Sequence, residues 1–495
     1  MKTKSEWIDA AARFQAEARS FVDGRFVSSP NAATLEHVNP ATGLPQYALA
    51  LADDDLLNRA VDVARRRFDD GAWSRCHPSK RREAFLKLAM LIEENCERLA
   101  LCETLDTGKA IRDSFLRDVP GSATTLRWYA EAVDKIYGET APVGPGVLAT
   151  INLEPVGVVG AVIPWNFPIE TAFWKVAPAL ILGNSVVLKP DEKSSRSALL
   201  AAALAVEAGI PEGVFNVVTG GAELGRAMGL HPGIDALSFT GSTEVGKKFL
   251  EYSAHSNLKM ISLECGGKSA NVVFADTADL DRAASSAAAG IFFHQGQVCS
   301  ANSRLLVEDK IADEFVERLR KEALAYSPGA PLDPETPAGT MIGTSHRDAV
   351  LAKIAGGKRD GGHVIGGVTK TVEGCDNFIE PTIVTGLTET SELVREEVFG
   401  PVLCVLPFNG EDAAIRMAND SPYALAASLW TGSFSRAHRV AARIRAGTVS
   451  VNAVDALDPA LPFGGFKGSG FGRDLSLYAL RNYAQPKAVW FDFRD

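Results

Sequence analysis

The middle of the chain alternates short apolar runs with helical stretches, and this pattern constrains the fold more than any other feature. Five runs rich in β-forming residues occupy 156–163, 185–188, 214–218, 236–239 and 260–263. Helical patterns lie between them, around 169–182, 194–208, 221–230 and 243–254. Because the runs are almost uniformly apolar, each strand is expected to be buried on both faces. The sequence therefore predicts a parallel, doubly wound sheet of the nucleotide-binding type.

The alternation resumes after Gly267 and predicts a second α/β domain. A strand, a helix, a strand and a helix follow one another at 270–274, 280–293, 304–307 and 312–325. Residues 54–118 are predicted to be mostly helical and to cover the first sheet. Two further strand-like segments, 136–153 and 488–493, have no obvious hairpin partner. Such strands often pair with another subunit, so an oligomer is expected.

The composition is typical of a globular protein with a small-molecule ligand. Of the 495 residues, 46% are hydrophobic and 23% are charged, with 61 acidic and 51 basic side chains. The formal charge of −10 argues against nucleic acid or an anionic membrane as the main partner, since both attract basic surfaces. No uncharged apolar run reaches the length of a membrane span, and the N-terminus lacks the apolar core of a signal peptide. We therefore expect a cytoplasmic protein.

Two residues, Cys299 and Glu264, lie in glycine-containing apolar stretches and are candidates for covalent catalysis by a thiol with an attendant base. The alternative is that Cys299 is a buried small hydrophobe, which is the usual fate of a free cysteine. The seven cysteines form no CxxC pair and their number is odd. Neither a disulfide framework nor a metal site is therefore predicted.

A glycine-rich turn from Gly241 to Lys248 follows a predicted strand and begins a predicted helix, as a phosphate-binding turn would. It differs from a P-loop by one residue, because Lys248 occupies the position of the Ser or Thr that ligates magnesium. A nucleotide hydrolase remains a remote alternative. No GxGxxG fingerprint follows the first strands, so an ordinary Rossmann site is not indicated.

Seven ordered motifs make the chain similar to the aldehyde dehydrogenase superfamily over essentially its whole length. They begin at Pro164 (PWNFP), Lys189 (KPDE), Phe239 (FTGSTEVG), Leu263 (LECGGK), Gly296 (GQVC), Glu396 (EEVFGP) and Pro462 (PFGG). The resemblance implies two doubly wound parallel-sheet domains, one binding NAD and one catalytic, with a small β arm for oligomerisation. It places the NAD-binding domain at 1–135 and 156–267, the catalytic domain at 268–475, and the arm at 136–155 and 476–495.

The resemblance also implies the chemistry and its residues. Cys299 would attack an aldehyde to give a thiohemiacetal, whose oxyanion meets the Asn166 amide and the Cys299 backbone N–H. After oxidation to a thioester, Glu264 would activate the hydrolytic water. A hydrolytic base of this kind indicates a free carboxylic acid as the product instead of a coenzyme A ester. His294 is expected to be a packing residue.

The same resemblance assigns a cofactor site. Glu192 would accept from the ribose 2′-hydroxyl, which favours NAD, although Lys189 and Lys193 could soften the repulsion of NADP. Ser242 and Trp165 would lie along the pyrophosphate, and Glu397 and Phe399 at the nicotinamide ribose. The full predicted set is Ile163, Trp165, Lys189, Glu192, Gly220, Gly225, Phe239, Gly241, Ser242, Glu397 and Phe399.

The predicted substrate is a small-molecule aldehyde of the aminoaldehyde branch, which the chain resembles. This branch oxidises 4-guanidinobutyraldehyde, 4-aminobutyraldehyde or its γ-glutamyl derivative. Acidic residues at the expected entrance would attract a cationic tail, and aromatic residues would provide walls. The candidates are Asp118, Glu170, Trp174, Asp455, Asp458 and Phe466. The alternatives are that these acids are surface charges and that the enzyme is a broad aldehyde dehydrogenase for uncharged substrates. A homotetramer or homodimer is expected.

Overall fold

The computed structural model describes residues 1–30 and 32–494. Its α-helices are α1 Lys4–Arg13, α2 Asp54–Asp70, α3 Pro78–Glu94, α4 Cys96–Thr107, α5 Ile111–Asp113, α6 Val119–Ala132, α7 Pro168–Ile181, α8 Arg196–Glu207, α9 Ala222–Leu230, α10 Thr243–Ala254, α11 Leu280–Phe292, α12 Ala312–Ala323, α13 Thr344–Arg359, α14 Glu392–Arg395, α15 Glu411–Asn419 and α16 Phe434–Arg443. A single π-helical turn, Ser114–Asp118, joins α5 to α6.

The strands are β1 Ser20–Val22, β2 Arg25–Val27, β3 Thr34–Val38, β4 Pro45–Ala50, β5 Glu139–Ala141, β6 Val147–Pro155, β7 Val158–Val162, β8 Ser185–Lys189, β9 Phe215–Val217, β10 Ala236–Gly241, β11 Met260–Cys265, β12 Ala270–Val273, β13 Arg304–Glu308, β14 His363–Ile365, β15 Thr369–Val372, β16 Cys375–Ile379, β17 Thr382–Thr385, β18 Val402–Phe408, β19 Tyr423–Ala424, β20 Ala426–Trp430, β21 Thr448–Val451, β22 Phe466–Lys467, β23 Gly470–Phe471 and β24 Ala484–Asp492. They form two large sheets and several small ones.

The first large sheet has the order β2-β1-β9-β8-β7-β10-β11-β23, and its five central strands are parallel. These are the five apolar runs of the sequence, and they are almost entirely buried. Successive strands β7, β8 and β9 extend the sheet in one direction, and β10 and β11 extend it in the other. The order therefore reverses between β7 and β10, which makes their carboxyl ends the expected ligand-binding edge.

The second large sheet has the order β14-β17-β18-β13-β12-β20-β21. All of its pairings are parallel except that of β14 with β17. Its own hydrophobic core includes Phe274, Leu306 and Leu429, each at most 1% exposed. The prediction of a mainly parallel α/β fold is confirmed.

A three-stranded sheet forms the β arm, in the order β24-β6-β5. The two outlying segments of the sequence are therefore antiparallel partners of each other, from Ala484 opposite Pro155 to Asp492 opposite Val147. Because β6 and β24 lie far apart in the chain, no local hairpin pattern in the sequence could predict their pairing. Strand β24 is the edge of this sheet and carries the exposed aromatic residues Trp490 and Phe491.

Helix starts in the first α/β unit follow from local capping. The side chain of Ser242 accepts a hydrogen bond from the Val245 N–H at 3.3 Å, so α10 begins immediately after the glycine turn. Asp53 caps α2 in the same way through the Leu56 N–H at 2.9 Å. The Ser242 cap explains why the predicted helix 243–254 begins where the observed one does. The helix predicted at 221–230 begins at Ala222 without a side-chain cap.

Candidate active site

A cavity of about 960 Å³ lies at the carboxyl ends of β7 and β10, where the strand order reverses. Pro164, Trp165 and Asn166 enter it after β7, and Gly241 and Ser242 enter it after β10. The second α/β unit closes the other side with residues that include Cys299 and Glu397. The cavity therefore brings together three predicted catalytic residues and part of the predicted cofactor set. The catalytic ones are Cys299, Glu264 and Asn166.

The backbone before Cys299 has a conformation that residues other than glycine rarely adopt. His294, Gln295 and Gly296 have φ values of 48°, 55° and 66°, in the left-handed region. A Cβ on Gly296 would lie 2.1 Å from the Gly400 carbonyl oxygen, so only glycine fits there. Strain of this kind persists only where the surroundings hold it in place.

Two buried glutamines hold this loop. The Gln295 side chain donates to the Ile379 carbonyl and accepts from the Ile379 N–H, both at 3.0 Å. The Gln297 side chain donates to the Thr340 carbonyl at 3.0 Å and accepts from the Ile342 N–H at 2.8 Å. Each side-chain amide thus donates to a backbone carbonyl and accepts from a backbone N–H, as a neighbouring strand would. Together they fix the loop that presents the Cys299 thiol.

Asn166 is joined to the same loop. Its Nδ2 donates to the Gln297 carbonyl at 3.0 Å, and the residue is only 4% exposed. One N–H of that amide is therefore occupied, and the other remains for a ligand in the cavity. A neutral donor next to the thiol is what an oxyanion requires.

The thiol and the carboxyl group are both held in their protonated forms by burial. Desolvation, followed by the charges of Glu264 and Asp455, raises the pKa of Cys299 well above its usual range. Desolvation raises the pKa of Glu264 to about 8, while Lys175 lowers it. A carboxyl group with that pKa exchanges protons near neutral pH, as a general base must. Its Oε1 has no hydrogen-bond partner among the described residues, so it is available to a thiol or a water.

Lys175 and Asp474 form a buried ion pair next to Glu264, with Nζ 2.7 Å from Oδ2. Asp474 raises the pKa of Glu264 and Lys175 lowers it, so the pair supplies opposing influences on the base. Trp174, which precedes Lys175 on α7, lies in the cavity wall against Phe463, with ring centroids 5.1 Å apart.

The end of the cavity where the cofactor is predicted to bind contains Glu397 and Phe399. Glu397 accepts from the Gly267 N–H at 3.1 Å, and burial raises the pKa of its carboxyl group to about 7. The rings of Phe399 and Trp165 pack edge to face with centroids 5.4 Å apart. The backbone carbonyl oxygen of Phe399 lies 2.8 Å from the His346 Nε2, with which it forms a hydrogen bond. This end is walled by aromatic rings and a carboxyl group.

The remaining predicted cofactor residues lie at the same sheet edge. Lys189 ends β8 with its Nζ 3.7 Å from a Glu192 oxygen, and a Cβ on Gly225 would meet the Lys189 side chain at 3.8 Å. Ile163, Lys189, Glu192, Gly220, Gly225 and Phe239 do not line the cavity itself, whereas Trp165, Gly241, Ser242, Glu397 and Phe399 do. The Thr240 hydroxyl also lines it and has no partner among the described residues. An elongated dinucleotide that continues beyond the cavity along this edge fits the arrangement.

The predicted substrate residues separate into two groups. Asp118, Glu170, Trp174 and Asp455 line the cavity, whereas Asp458 and Phe466 do not. Asp458 is exposed and accepts from the Ala460 N–H at 2.8 Å, and the ring of Phe466 packs under the Arg473 guanidinium at 5.0 Å. The structure therefore does not bring these two residues to the site.

Asp118 is in the wall but is already paired. Its Oδ2 lies 2.5 Å from Nζ of Lys109, and both side chains are at most 2% exposed. The Lys109 ammonium also lies 3.5 Å from the centroid of the Phe167 ring. The expectation of an open acidic entrance is weakened here, because the sequence did not indicate that Asp118 has a partner nine residues earlier. Glu170 is half-buried, and its pKa is raised to about 8 by desolvation and then by Asp118.

Several contributors were not anticipated from the sequence. Gln295 lies immediately before the motif that begins at Gly296 and Gln297 lies within it; their signal is an amide on each side of the glycine that precedes the thiol. Arg112 and Arg117 line the cavity beside Asp118. His294 is 1% exposed and packs edge to face on Phe167, with ring centroids 5.7 Å apart. Burial lowers its pKa well below the usual value, so it is a neutral packing residue.

Neither a metal site nor a membrane span is found in residues 1–30 and 32–494. No group of three His, Cys, Asp or Glu side chains there is arranged to hold a metal ion. No helix in this part of the chain combines the length and the apolar character needed to cross a membrane.

Comparison with known proteins assigns the family. The family model described as "Aldehyde dehydrogenase family" matches residues 26–489. The NADP/NAD-dependent aldehyde dehydrogenase PuuC of Escherichia coli is 48% identical over 485 residues, covering 98% of this chain and 97% of that protein.

Two solved structures superpose on nearly the whole chain, each with a TM-score of 0.98. One is a γ-glutamyl-γ-aminobutyraldehyde dehydrogenase from Burkholderia cenocepacia, 46% identical, with 100% of both chains covered. The other is an indole-3-acetaldehyde dehydrogenase variant from P. syringae in complex with NAD+ and IAA, 45% identical, covering 99% of this chain and 100% of that one. The fold and the family predicted from the motifs are confirmed, and the chain belongs to the aldehyde dehydrogenase family.

Proposed function

We propose that the protein oxidises an aldehyde to a carboxylic acid through a covalent intermediate on Cys299, with NAD as cofactor. The observation that carries this proposal is that Cys299, Glu264 and Asn166 converge in one cavity. The far end of that cavity has a carboxyl group and aromatic rings where a nicotinamide riboside would lie. Relatives with NAD-dependent names or bound NAD+ support the cofactor.

The first step forms the Cys299 Sγ–carbon bond to the aldehyde. Because the thiol is protonated in the buried site, its proton must leave, and the deprotonated form of Glu264 is the available acceptor; Glu264 then loses this proton to solvent before the second step. The carbonyl π electrons move to oxygen, and the free Asn166 N–H and the Cys299 backbone N–H stabilise the resulting alkoxide. Bound NAD would supply the hydride acceptor, so that the alkoxide could re-form a C=O bond as hydride leaves the former aldehyde carbon and a thioester on Cys299 results.

The second step releases the acid from the thioester. Deprotonated Glu264 takes a proton from water, whose oxygen attacks the acyl carbon, and the carbon–sulfur bond breaks. The Cys299 thiolate leaves and recovers a proton, which restores the resting thiol. The raised pKa of Glu264 makes it a stronger base than an exposed carboxylate.

For the substrate, we infer an ω-amino or guanidino aldehyde, or a γ-glutamyl-protected form of such an amine. Asp455 in the wall supports this inference, and so does the similarity to the γ-glutamyl-γ-aminobutyraldehyde dehydrogenase. An uncharged aldehyde is the second candidate. The aromatic wall of Trp174, Phe293 and Phe463 favours it, as does the similarity to the indole-3-acetaldehyde enzyme.

The test is the ratio kcat/KM with NAD for four aldehydes of matched length: guanidinobutyl, aminobutyl, γ-glutamyl-aminobutyl and alkyl. We expect the nitrogen-bearing members to be preferred by tenfold or more, which corresponds to about 1.4 kcal/mol. Equal or better turnover of the alkyl aldehyde would contradict the aminoaldehyde assignment while leaving the oxidation itself intact. The same assay with NADP tests the preference that Glu192 implies.

We also propose the domain boundaries given by the family resemblance and an assembly through the β arm. The open edge of β24 supports the assembly, together with Trp490 and Phe493, which are 59% and 67% exposed. Light scattering at micromolar concentration should give a dimer or tetramer, and Trp490→Glu should shift it toward the monomer. A wild-type monomer would contradict the assembly.

A further inference from the structure

The entrance end of the cavity carries two guanidinium groups that the chemistry does not use. Arg112 and Arg117 both line the cavity, on α5 and on the π-helical turn that follows it. Among the described residues, neither guanidinium forms an ion pair or a hydrogen bond. Arg117 is exposed, whereas Arg112 is half-buried. An unpaired arginine in the wall of a substrate cavity is a candidate for ligand binding.

The Arg117 side chain is positioned by an aromatic ring. Its guanidinium carbon lies 4.5 Å from the centroid of the Phe293 ring, and Phe293 also lines the cavity. Stacking on a ring occupies the face of the guanidinium and leaves the N–H groups at its edge for other partners. Those edge groups match the two oxygens of a carboxylate.

The charges around Arg117 are less negative than the sequence indicates. Asp118 is neutralised by Lys109 in a buried ion pair. The pKa of Glu170 is raised to about 8 by burial, so most of this group is uncharged at neutral pH. Asp455 also lines the cavity, but desolvation raises the pKa of its carboxyl group, while the Ser300 side chain and Arg117 lower it. Its charge acts on the Cys299 thiol, so Asp455 lies closer to the reacting end of the cavity than Arg117 does. Arg117 is therefore the charged group that faces the far end of a substrate.

We propose that Arg117 binds a carboxylate at the far end of the substrate. The substrate class is then an ω-aldehyde whose amine is acylated by an amino acid, so that its distal end carries a carboxylate. This inference rests on the proposed function, since it selects among the aldehydes named there. It disfavours aldehydes that carry only a cationic end, because these would meet an unpaired guanidinium.

The test uses three aldehydes that share the amide and the chain length. One is γ-glutamyl-aminobutyraldehyde, one lacks only the α-carboxylate, and one lacks only the α-amino group. Wild-type enzyme should prefer the complete substrate to the decarboxy analogue by about tenfold to a hundredfold in kcat/KM. Arg117→Gln should remove most of that preference through KM and should leave kcat/KM for the decarboxy analogue within about twofold.

Matched variants separate recognition from general effects. Arg359→Gln removes an exposed arginine outside the cavity and should change none of the three values. Asp455→Asn changes a group closer to Cys299 and should retain the dependence on the carboxylate.

Two outcomes would overturn the proposal. One is an unchanged carboxylate preference in Arg117→Gln, and the other is a wild-type enzyme that turns over the decarboxy analogue equally well. In either case, continued oxidation of these aldehydes with NAD would leave the proposed function standing. Failure to oxidise any of them would instead count against the proposed function.

Discussion

The two ends of the catalytic cavity differ in whether their polar side chains already have hydrogen-bond partners. Around Cys299, the side chains of Gln295, Gln297 and Asn166 each make a hydrogen bond to backbone, and all three residues are at most 4% exposed. At the entrance, Arg117 is exposed and has no polar partner among the described residues. The first end is fixed before substrate arrives, whereas the second keeps unused hydrogen-bonding capacity for it.

This difference shows which part of an enzyme its motifs encode. Bond formation at Cys299 requires atoms placed to within a fraction of an ångström, so the local backbone is strained and held. Recognition of the far end of a substrate depends on a few charges in a wide opening. A change at the first end should therefore cost more than a change at the second, and the following experiments test that order.

The largest effect is expected from Cys299→Ala, which removes the nucleophile. Aldehyde oxidation should fall by about 10⁴-fold or more, because no other described thiol lines the cavity. Steady-state NADH formation measures it. Cys375→Ala, which removes a half-buried thiol outside the cavity, is the control and should retain activity. Comparable rates for the two variants would contradict the assignment of the nucleophile.

Next is Asn166→Ala, which removes the side-chain donor for the alkoxide. We expect kcat to fall by about 10²–10³-fold with little change in KM, as for other oxyanion donors. Thermal unfolding of the variant checks that the loss of the bond to the Gln297 carbonyl has not unfolded the site. A loss confined to KM would assign Asn166 to substrate binding instead.

A smaller effect is expected from Gln297→Met, which keeps the side-chain volume but leaves the Ile342 N–H and Thr340 carbonyl without partners. Each orphaned buried group costs about 1–3 kcal/mol, so the melting temperature should fall. Misplacement of the thiol should lower kcat about tenfold to a hundredfold. Gln485→Met, at an exposed position on β24, is the matched control. Unchanged stability and activity would show that the Gln297 hydrogen bonds are not needed to hold the loop.

The smallest effect is the response to pH. The pKa of Glu264 is raised to about 8, and the Cys299 pKa is also raised, so both groups are mostly protonated at neutral pH. Since catalysis needs the deprotonated forms, kcat should rise as pH increases from about 7 through 8, by up to about tenfold. The stability contribution has the opposite sign, because the folded state binds the Glu264 proton more tightly than the unfolded chain, and stability is lost between about pH 4.5 and 8. A flat pH profile for kcat would contradict the role of a buried base.

The sequence predicted the parts of the fold that local pattern determines. Strands β7 to β11 and the helices between them coincide with apolar runs and caps such as Ser242. The N-terminal strands β1 and β2 and the short strand β23 also join the first sheet. No pattern indicated them, because each is only two or three residues long. Strands β1 and β23 pair with strands far away in the chain, and β2 joins the sheet only through β1.

The site shows the same division. Cys299, Glu264 and Asn166 lie in specific motifs, and the structure brings them together. Asp118 and Arg117 are neighbours in the sequence but have different roles in the structure. Asp118, at the end of the π-helical turn, is paired with Lys109 from the segment between α4 and α5, and Arg117 lies over Phe293 without a polar partner among the described residues. Charge type can be read from a sequence, but charge pairing requires the tertiary structure.

The most direct test of the covalent mechanism is a single-turnover experiment on Glu264→Gln with NAD and γ-glutamyl-aminobutyraldehyde. We expect about one NADH per active site to form, more slowly than in the wild type because the thiol must lose its proton to solvent instead of to Glu264. Almost no further turnover should follow, because the thioester forms but is not hydrolysed. Mass spectrometry should then find the acyl group on Cys299. Steady-state turnover at the wild-type rate, or NADH formation with no acyl group on Cys299, would contradict the account.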